Sequence, residues 1–164
     1  MDHIFHRTSI RRYQEIPVEE EKIELLMRAA MAAPSAGNQQ PWEFYVVTDQ
    51  EVMKQLSECS IYAGFTAKAA MIIVPCYRTD GIKYPQYALI DLSAAVENIL
   101  LEADSLALGA TWCGIAPEAD RMEKVKAVLN IPEGLEAFAF VSVGYPAETK
   151  HQQDRYDESR IHRI

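Results

Sequence analysis

The segment "HRTSIRRY" places Arg7, Thr8, Ser9 and Arg11 within five positions. Guanidinium forks, hydroxyls and backbone N–H groups are the donors that a phosphate monoester requires, and arginine supplies two at once. Residues 7–12 hold three arginines and no acid, although the whole chain has 16 basic against 24 acidic side chains and a net charge of −8. A second stretch, "PSAGNQQPW" (residues 34–42), carries Asn38, Gln39 and Gln40 between two prolines and no charge. Each amide donates and accepts at once, which suits a ligand edge that alternates donors and acceptors, such as a pyrimidine ring. Taken singly, each stretch has a plainer reading: a solvated basic patch docking the chain's own acids, and a polar surface turn.

Other chemistries find no support. The seven glycines give no GxG spacing, and no GxxxxGK[ST] or GxSxG run occurs. Cys59, Cys76 and Cys113 are widely spaced in apolar surroundings without a CxxC pair, which suits reduced core thiols. His3, His6, His151 and His162 lie near the two ends with no carboxylate–histidine metal pattern, so all four are expected to be non-ligands. Either the protein is not an enzyme or a cofactor carries the chemistry.

The elements that position these groups follow from periodicity. A short helix over "DHIFHR" precedes the arginines, and Pro17 with Glu19, Glu20 and Glu21 opens a second helix over residues 17–33. Ile23, Leu26, Met27, Ala30 and Met31 form its apolar face, and Pro34 ends it. "EFYVVT" (43–48) reads as a buried strand, followed by a helix capped by Asp49 or Thr48. "AAMIIVPCY" is a second strand, with Pro75 suggesting an edge position or an early end. Residues 84–109 form the longest periodic segment, with Leu92, Val96, Ile99, Leu100 and Ala103 in its apolar stripe and Gly109 as the expected C-cap. A short strand or loop ("ATWCGIAP"), a charged helix (118–130) and a strand (136–146) complete an α+β pattern of three or four strands without hairpin signals.

Together, the two polar stretches resemble the nitroreductase family of FMN-dependent oxidoreductases. The family's R-x-S-x-R-x-[FY] is met by Arg7, Ser9, Arg11 and Tyr13, and its P-S-x-x-N-x-Q-P-W by Pro34, Ser35, Asn38, Gln40, Pro41 and Trp42. "SAAVENILLEADSLALGATWCGI", "VGYP" and "DRYDESRIH" are similar to its central helix with the following turn, its last strand and its C-terminal arm. The resemblance implies a mainly antiparallel sheet flanked by helices, in an intertwined homodimer with FMN sites shared between subunits. It implies that Arg7, Thr8, Ser9 and Arg11 hold the phosphate and ribityl chain. Pro34, Ser35, Asn38 and Gln40 would approach the flavin from the other subunit, Gly114 and Ile115 would meet it near N5, and Arg155 would add a phosphate contact. The implied reaction carries reducing equivalents from NAD(P)H, through the flavin, to a nitroaromatic, quinone or enone-like acceptor in two steps. An FMN-binding storage or sensing protein is the alternative. Thr8 stands where many members place Arg or His, and the short segment "RTDGIKYPQ" replaces the insertions of larger members.

The 164 residues fit one domain (1–164), with 147–164 as an arm expected to cross to the partner subunit. The acidic balance argues against nucleic acid or an anionic membrane as partner. No apolar run approaches the roughly 20 residues of a membrane span, and without a secretory h-region the expected location is the cytoplasm.

Overall fold

Pro75 is the residue that best reveals how the sheet is built. The computed structural model of the chain describes residues 3–164. Its strands are β1 (Trp42–Val47), β2 (Met71–Arg78), β3 (Gly109–Gly114), β4 (Leu135–Ala137) and β5 (Ala139–Gly144). The order is β1-β2-β5-β3 with β4 also on β2, and every strand pair is antiparallel. β2 is therefore central rather than at an edge. Ile73 pairs with Val141 and Cys76 with Ala137, so Val74 and Pro75 face three residues, Phe138, Ala139 and Phe140. This bulge separates β4 from β5 and supplies a place in the ladder where a missing N–H is harmless. Pro75 still contributes its carbonyl, which accepts the Phe138 N–H at 2.9 Å.

Helices cover both faces of the sheet. They are α1 (His3–His6), α2 (Glu20–Met31), α3 (Gln50–Ser57), α4 (Ala88–Ser105) and α5 (Ala119–Leu129). The expected first helix includes Asp2, which lies outside the described residues. Alternation along β2 sends Ile72, Val74 and Cys76 into a core with Met53, Leu56, Ile115, Val125 and Phe140. Met71 and Ile73 enter the other core with Leu26, Ala30, Leu92, Val96 and Ile99. Truncating a fully buried Leu or Ile of either core to Ala costs about 2–5 kcal/mol.

Several boundaries differ from expectation. α2 starts at Glu20, because Glu19 has the extended backbone of an N-cap and Pro17 stands outside. Its Met31 is exposed on the last turn, whereas Leu26 and Ala30 face the core. Asp49, not Thr48, caps α3 by accepting the Val52 N–H at 3.0 Å. The chain leaves α4 through Ala107 at φ 60°, so Gly109 is not the cap but the first residue of β3. A Cβ on Gly109 would lie 2.7 Å from Ile10 Cβ, which explains the glycine as a point of close approach.

That approach fixes the N-terminal segment. Ser9 bridges Ala110 in parallel sense, Ile10 N–H donates to Ala110 O at 3.1 Å, and the hydroxyls of Thr111 and Tyr13 both donate to Ile10 O at 2.5 and 2.6 Å. Tyr13 is buried, which pushes its phenol up to about 12. The first part of the arm then runs beside this segment. Gln14 N–H donates to Tyr145 O (2.8 Å) and Ala147 N–H to Arg12 O (2.9 Å). Residues 153–164 are exposed.

Candidate functional site

The structure gathers the N-terminal donors around one cavity of about 370 Å³. Arg7, Thr8, Ser9 and Arg11 line one side, and Lys150, His151, Gln152, Gln153 and Arg155 line the other. Arg155 thus joins the segment with which it was grouped, 144 positions later in the chain by difference of residue numbers. No carboxylate among the described residues lines the cavity, so its four Lys and Arg side chains make a local positive field in a chain of net charge −8.

The walls are braced by the arm. Glu148 accepts the backbone N–H groups of Arg11 and Arg12 at 2.6 and 3.2 Å and pairs with Lys150 at 2.9 Å. The Arg11 N–H and the Lys150 ammonium hold its carboxyl below the usual range. Lys150 donates to Ser9 O (3.1 Å), and the Gln152 amide donates to Ile4 O (2.9 Å) and Arg7 O (3.1 Å). These contacts occupy the outward backbone carbonyls and leave side chains to face the cavity. Arg7 approaches Glu97 at 3.6 Å, whereas the exposed Arg11 guanidinium, which pairs with no carboxylate among the described residues, lies over the Phe65 ring, 5.6 Å from the centroid. Lys150 and Gln152 went unnoticed in the sequence because the whole arm is polar, and no periodicity distinguishes a bracing residue from a solvated one.

His3 and His6 sit just before this wall, and each places Nδ1 2.7 Å from a different oxygen of Asp104 on α4. The carboxylate that the sequence did not pair with these histidines is therefore supplied from about a hundred positions away, as an anchor for α1.

Pro34, Ser35, Asn38 and Gln40 form a separate group. The loop makes a 3-10 turn over Ala36–Asn38, and Gly37, Asn38 and Gln40 all have left-handed backbone, with φ of 56°, 54° and 45°. Only glycine adopts that region without strain, so the loop is held by its neighbours. Asp91 of α4, buried at 5% exposure, accepts Ala36 N–H at 2.9 Å and the Gln39 amide at 2.7 Å. Gln39 also grips Tyr84, donating to its carbonyl (3.0 Å) and accepting its N–H (2.8 Å). Arg78 donates to Gln40 O at 2.8 Å, and its Nε is buried without a partner among the described residues. Asn38 and Gln40 remain exposed. Gln39 is therefore a brace rather than a presented amide. Asp91, an acid in phase with Ala88 and Ala95 on an apolar helix, was the one sequence signal of this support.

One protomer does not bring the two groups together. The loop sits on Asp91, whereas Arg7 lies against Glu97 and α1 against Asp104, 6 and 13 residues further along α4 by difference of residue numbers. At 1.5 Å per residue this is roughly 9 to 20 Å along the axis, and at roughly 100° per residue it is the other side of the helix. Gly114 ends β3 and Ile115 follows it. Gly114 is exposed and its carbonyl accepts from Arg121 at 3.3 Å, whereas Ile115 is fully buried with its N–H given to Phe138 O at 3.3 Å.

No helix among the described residues is long and apolar enough to cross a membrane. All three cysteines are free and buried, and burial pushes Cys76 up to about 12 and Cys113 to about 11.

Comparison with known proteins adds independent findings. The profile of the Nitroreductase family matches residues 4–79 and 55–145. An Archaeoglobus fulgidus protein, provisionally named NADH dehydrogenase/NAD(P)H nitroreductase, is 43% identical across 98% of this chain and 94% of its own. A solved structure from Clostridium acetobutylicum, provisionally named NADH oxidase, superposes with a TM-score of 0.95 at 46% identity, covering 98% of each chain. A Desulfovibrio desulfuricans structure, provisionally named a nitroreductase and solved in complex with FMN, gives a TM-score of 0.85 at 28% identity, over 99% of this chain and 94% of that one.

Proposed function

The chain belongs to the nitroreductase family, and from that membership and the four-cation cavity we propose an FMN-dependent oxidoreductase that uses NAD(P)H as electron donor. The observation that carries the reading is the cavity itself: guanidinium, ammonium, hydroxyl and amide donors, with no acid lining it among the described residues, suit a phosphate monoester dianion. Arg7, Thr8, Ser9, Arg11 and Arg155 would hold the phosphate end of FMN. When bound, the flavin supplies hydride acceptance from NAD(P)H and onward delivery to an electron-poor acceptor (nitroaromatic, quinone or enone-like) in two successive steps.

This chain's residues then have positioning and electrostatic tasks. The exposed backbone of Gly114 forms the end of β3 that the ring system would border, with Ile115 locking that end into the core. Asn38 and Gln40, on a loop held in left-handed backbone, would present amides to the polar edge of the ring. Pro34 and Ser35 set the entry of that loop. Nearby donors favour the negative charge that accompanies reduction. No side-chain acid or base is assigned to the hydride step itself.

The distance between the two groups on α4 supports a homodimer in which the loop of one protomer serves the cavity of the other. The exposed apolar side chains of Ile4, Phe5, Met31 and Ile90 support a second copy as the partner. The outer half of the arm, residues 153–164, would cross to that copy, and the whole of 1–164 acts as one domain.

The test is an absorbance spectrum followed by anaerobic titration with NADH and NADPH. Flavin bands that bleach stoichiometrically are expected. Bands that persist for minutes under excess donor would favour storage or sensing, and a colourless preparation that ignores added FMN would overturn both flavin readings. Sedimentation at micromolar concentration should give a dimer, and a monomer would defeat the shared-site arrangement.

A further inference from the structure

We propose that Asp91 is the positioning residue that holds Asn38 in place, and that it governs flavin reduction without contacting the cofactor, an inference that rests on the flavin reading of this loop. The carboxylate is buried at 5% exposure, and it faces no lysine or arginine at salt-bridge distance among the described residues. A buried carboxylate without a cation is costly unless its oxygens are satisfied by well-placed donors. Both oxygens are: Oδ1 accepts Ala36 N–H at 2.9 Å and Oδ2 accepts the Gln39 amide at 2.7 Å.

The geometry shows what this arrangement does. Ala36 opens the turn, and Asn38 follows two residues later at φ 54°. With one amide proton on Asp91 and one on Tyr84 O, Gln39 cannot rotate, and its oxygen takes Tyr84 N–H. Asp91 therefore fixes the residues on both sides of Asn38 while leaving the Asn38 side chain exposed. Asparagine in place of Asp91 preserves size but sets an NH2 group against one of two donors. One tie must break, and the left-handed backbone at Asn38 loses its constraint.

The two consequences separate. The phosphate end is held elsewhere, so Asp91→Asn should raise the FMN dissociation constant less than tenfold. The ring edge loses a preorganised amide, so the limiting rate of flavin reduction by NADH should fall more than tenfold. Val96→Ala, a truncation in the same helix facing the core, serves as the control: it should lower Tm and leave that rate within twofold. Gln39→Leu cuts the same tie from the solvent side and should reproduce the rate loss if Asp91→Asn folds poorly. Hydrogen exchange on the apoprotein gives a readout independent of turnover: whichever tie breaks in Asp91→Asn, the Ala36 amide or the Tyr84 amide held by Gln39 should lose at least tenfold protection while the β2 amides keep theirs. Unchanged exchange at both the Ala36 and Tyr84 amides, or a rate within twofold of wild type in both loop variants, would overturn the proposal. A wild-type protein that fails to bind or reduce FMN would instead defeat the flavin reading, and the exchange result would still decide whether Asp91 holds the loop.

Discussion

Replacing Arg11 by alanine is the sharpest perturbation of the cavity, because so little else depends on that side chain. Among the described residues its exposed guanidinium meets the Phe65 ring at 5.6 Å and no carboxylate, while its backbone N–H is held independently by Glu148. The fold therefore loses at most an exposed cation–π contact, about 0.5–1 kcal/mol. A charged hydrogen bond to the phosphate is worth about 1.5–3 kcal/mol, which converts to a roughly 12- to 140-fold weaker dissociation constant at about 1.4 kcal/mol per decade. The assay is quenching of FMN fluorescence on titration with apoprotein at fixed salt. Arg12→Ala is the internal control, since Arg12 is also exposed, adjacent and cationic but does not line the cavity. Charge alone would make the two variants similar, whereas the cavity geometry requires Arg11→Ala to be far worse. Equal effects, or an Arg11→Ala constant within threefold of wild type, would refute the assignment.

Other outcomes follow from the same contacts. Gly109→Ala puts a methyl 2.7 Å from Ile10 Cβ, which is too near the backbone to swing away. It should cost about 1–3 kcal/mol in chemical denaturation and weaken FMN binding by displacing the Ile10–Arg11 wall. Glu148 is held below its ordinary pKa, so its contribution is present above about 4.5 and is lost as pH falls through the lowered value. The Tm difference between wild type and Glu148→Gln should accordingly be full at pH 7 and shrink only below about 4.5. With Cys76 and Cys113 pushed up to about 12 and 11, and Cys59 also raised by burial, a thiol reagent at pH 8 should label none of the three in native protein and all three in denaturant.

Local chemistry was legible in the sequence wherever a residue's role depends on near neighbours. The donors at 7–11, the apolar stripes of α2 and α4, the buried thiols and the Asp49 cap all belong to that class. What escaped was set by partners far along the chain. Pro75 signals an edge strand by itself, and only the bulge at Phe138, about sixty positions later, makes it central. Gly109 follows a helix and so resembles a cap, yet its reason is Ile10 on another segment. The loop at 34–42 was visible as unusual, but the roles within it were not. Gln39 differs from its neighbours only because Asp91 and Tyr84 stand behind it. The arm was read as one polar tail, since Glu148, Lys150 and Gln152 acquire distinct tasks only against the backbone of residues 4–12.

That last pairing also sets the order of events during synthesis. The cavity is closed by residues 148–155 against residues 7–11, so its second wall is made well over a hundred residues after its first. The β1–β2 pair and the α2–α4 contact can form while synthesis continues, but β5, which separates β2 from β3, arrives only at residue 139. A nascent chain stalled before residue 145 should carry much of the core and no high-affinity place for phosphate. Cofactor loading is therefore expected to wait until residues 148–155 have emerged and docked on residues 7–11.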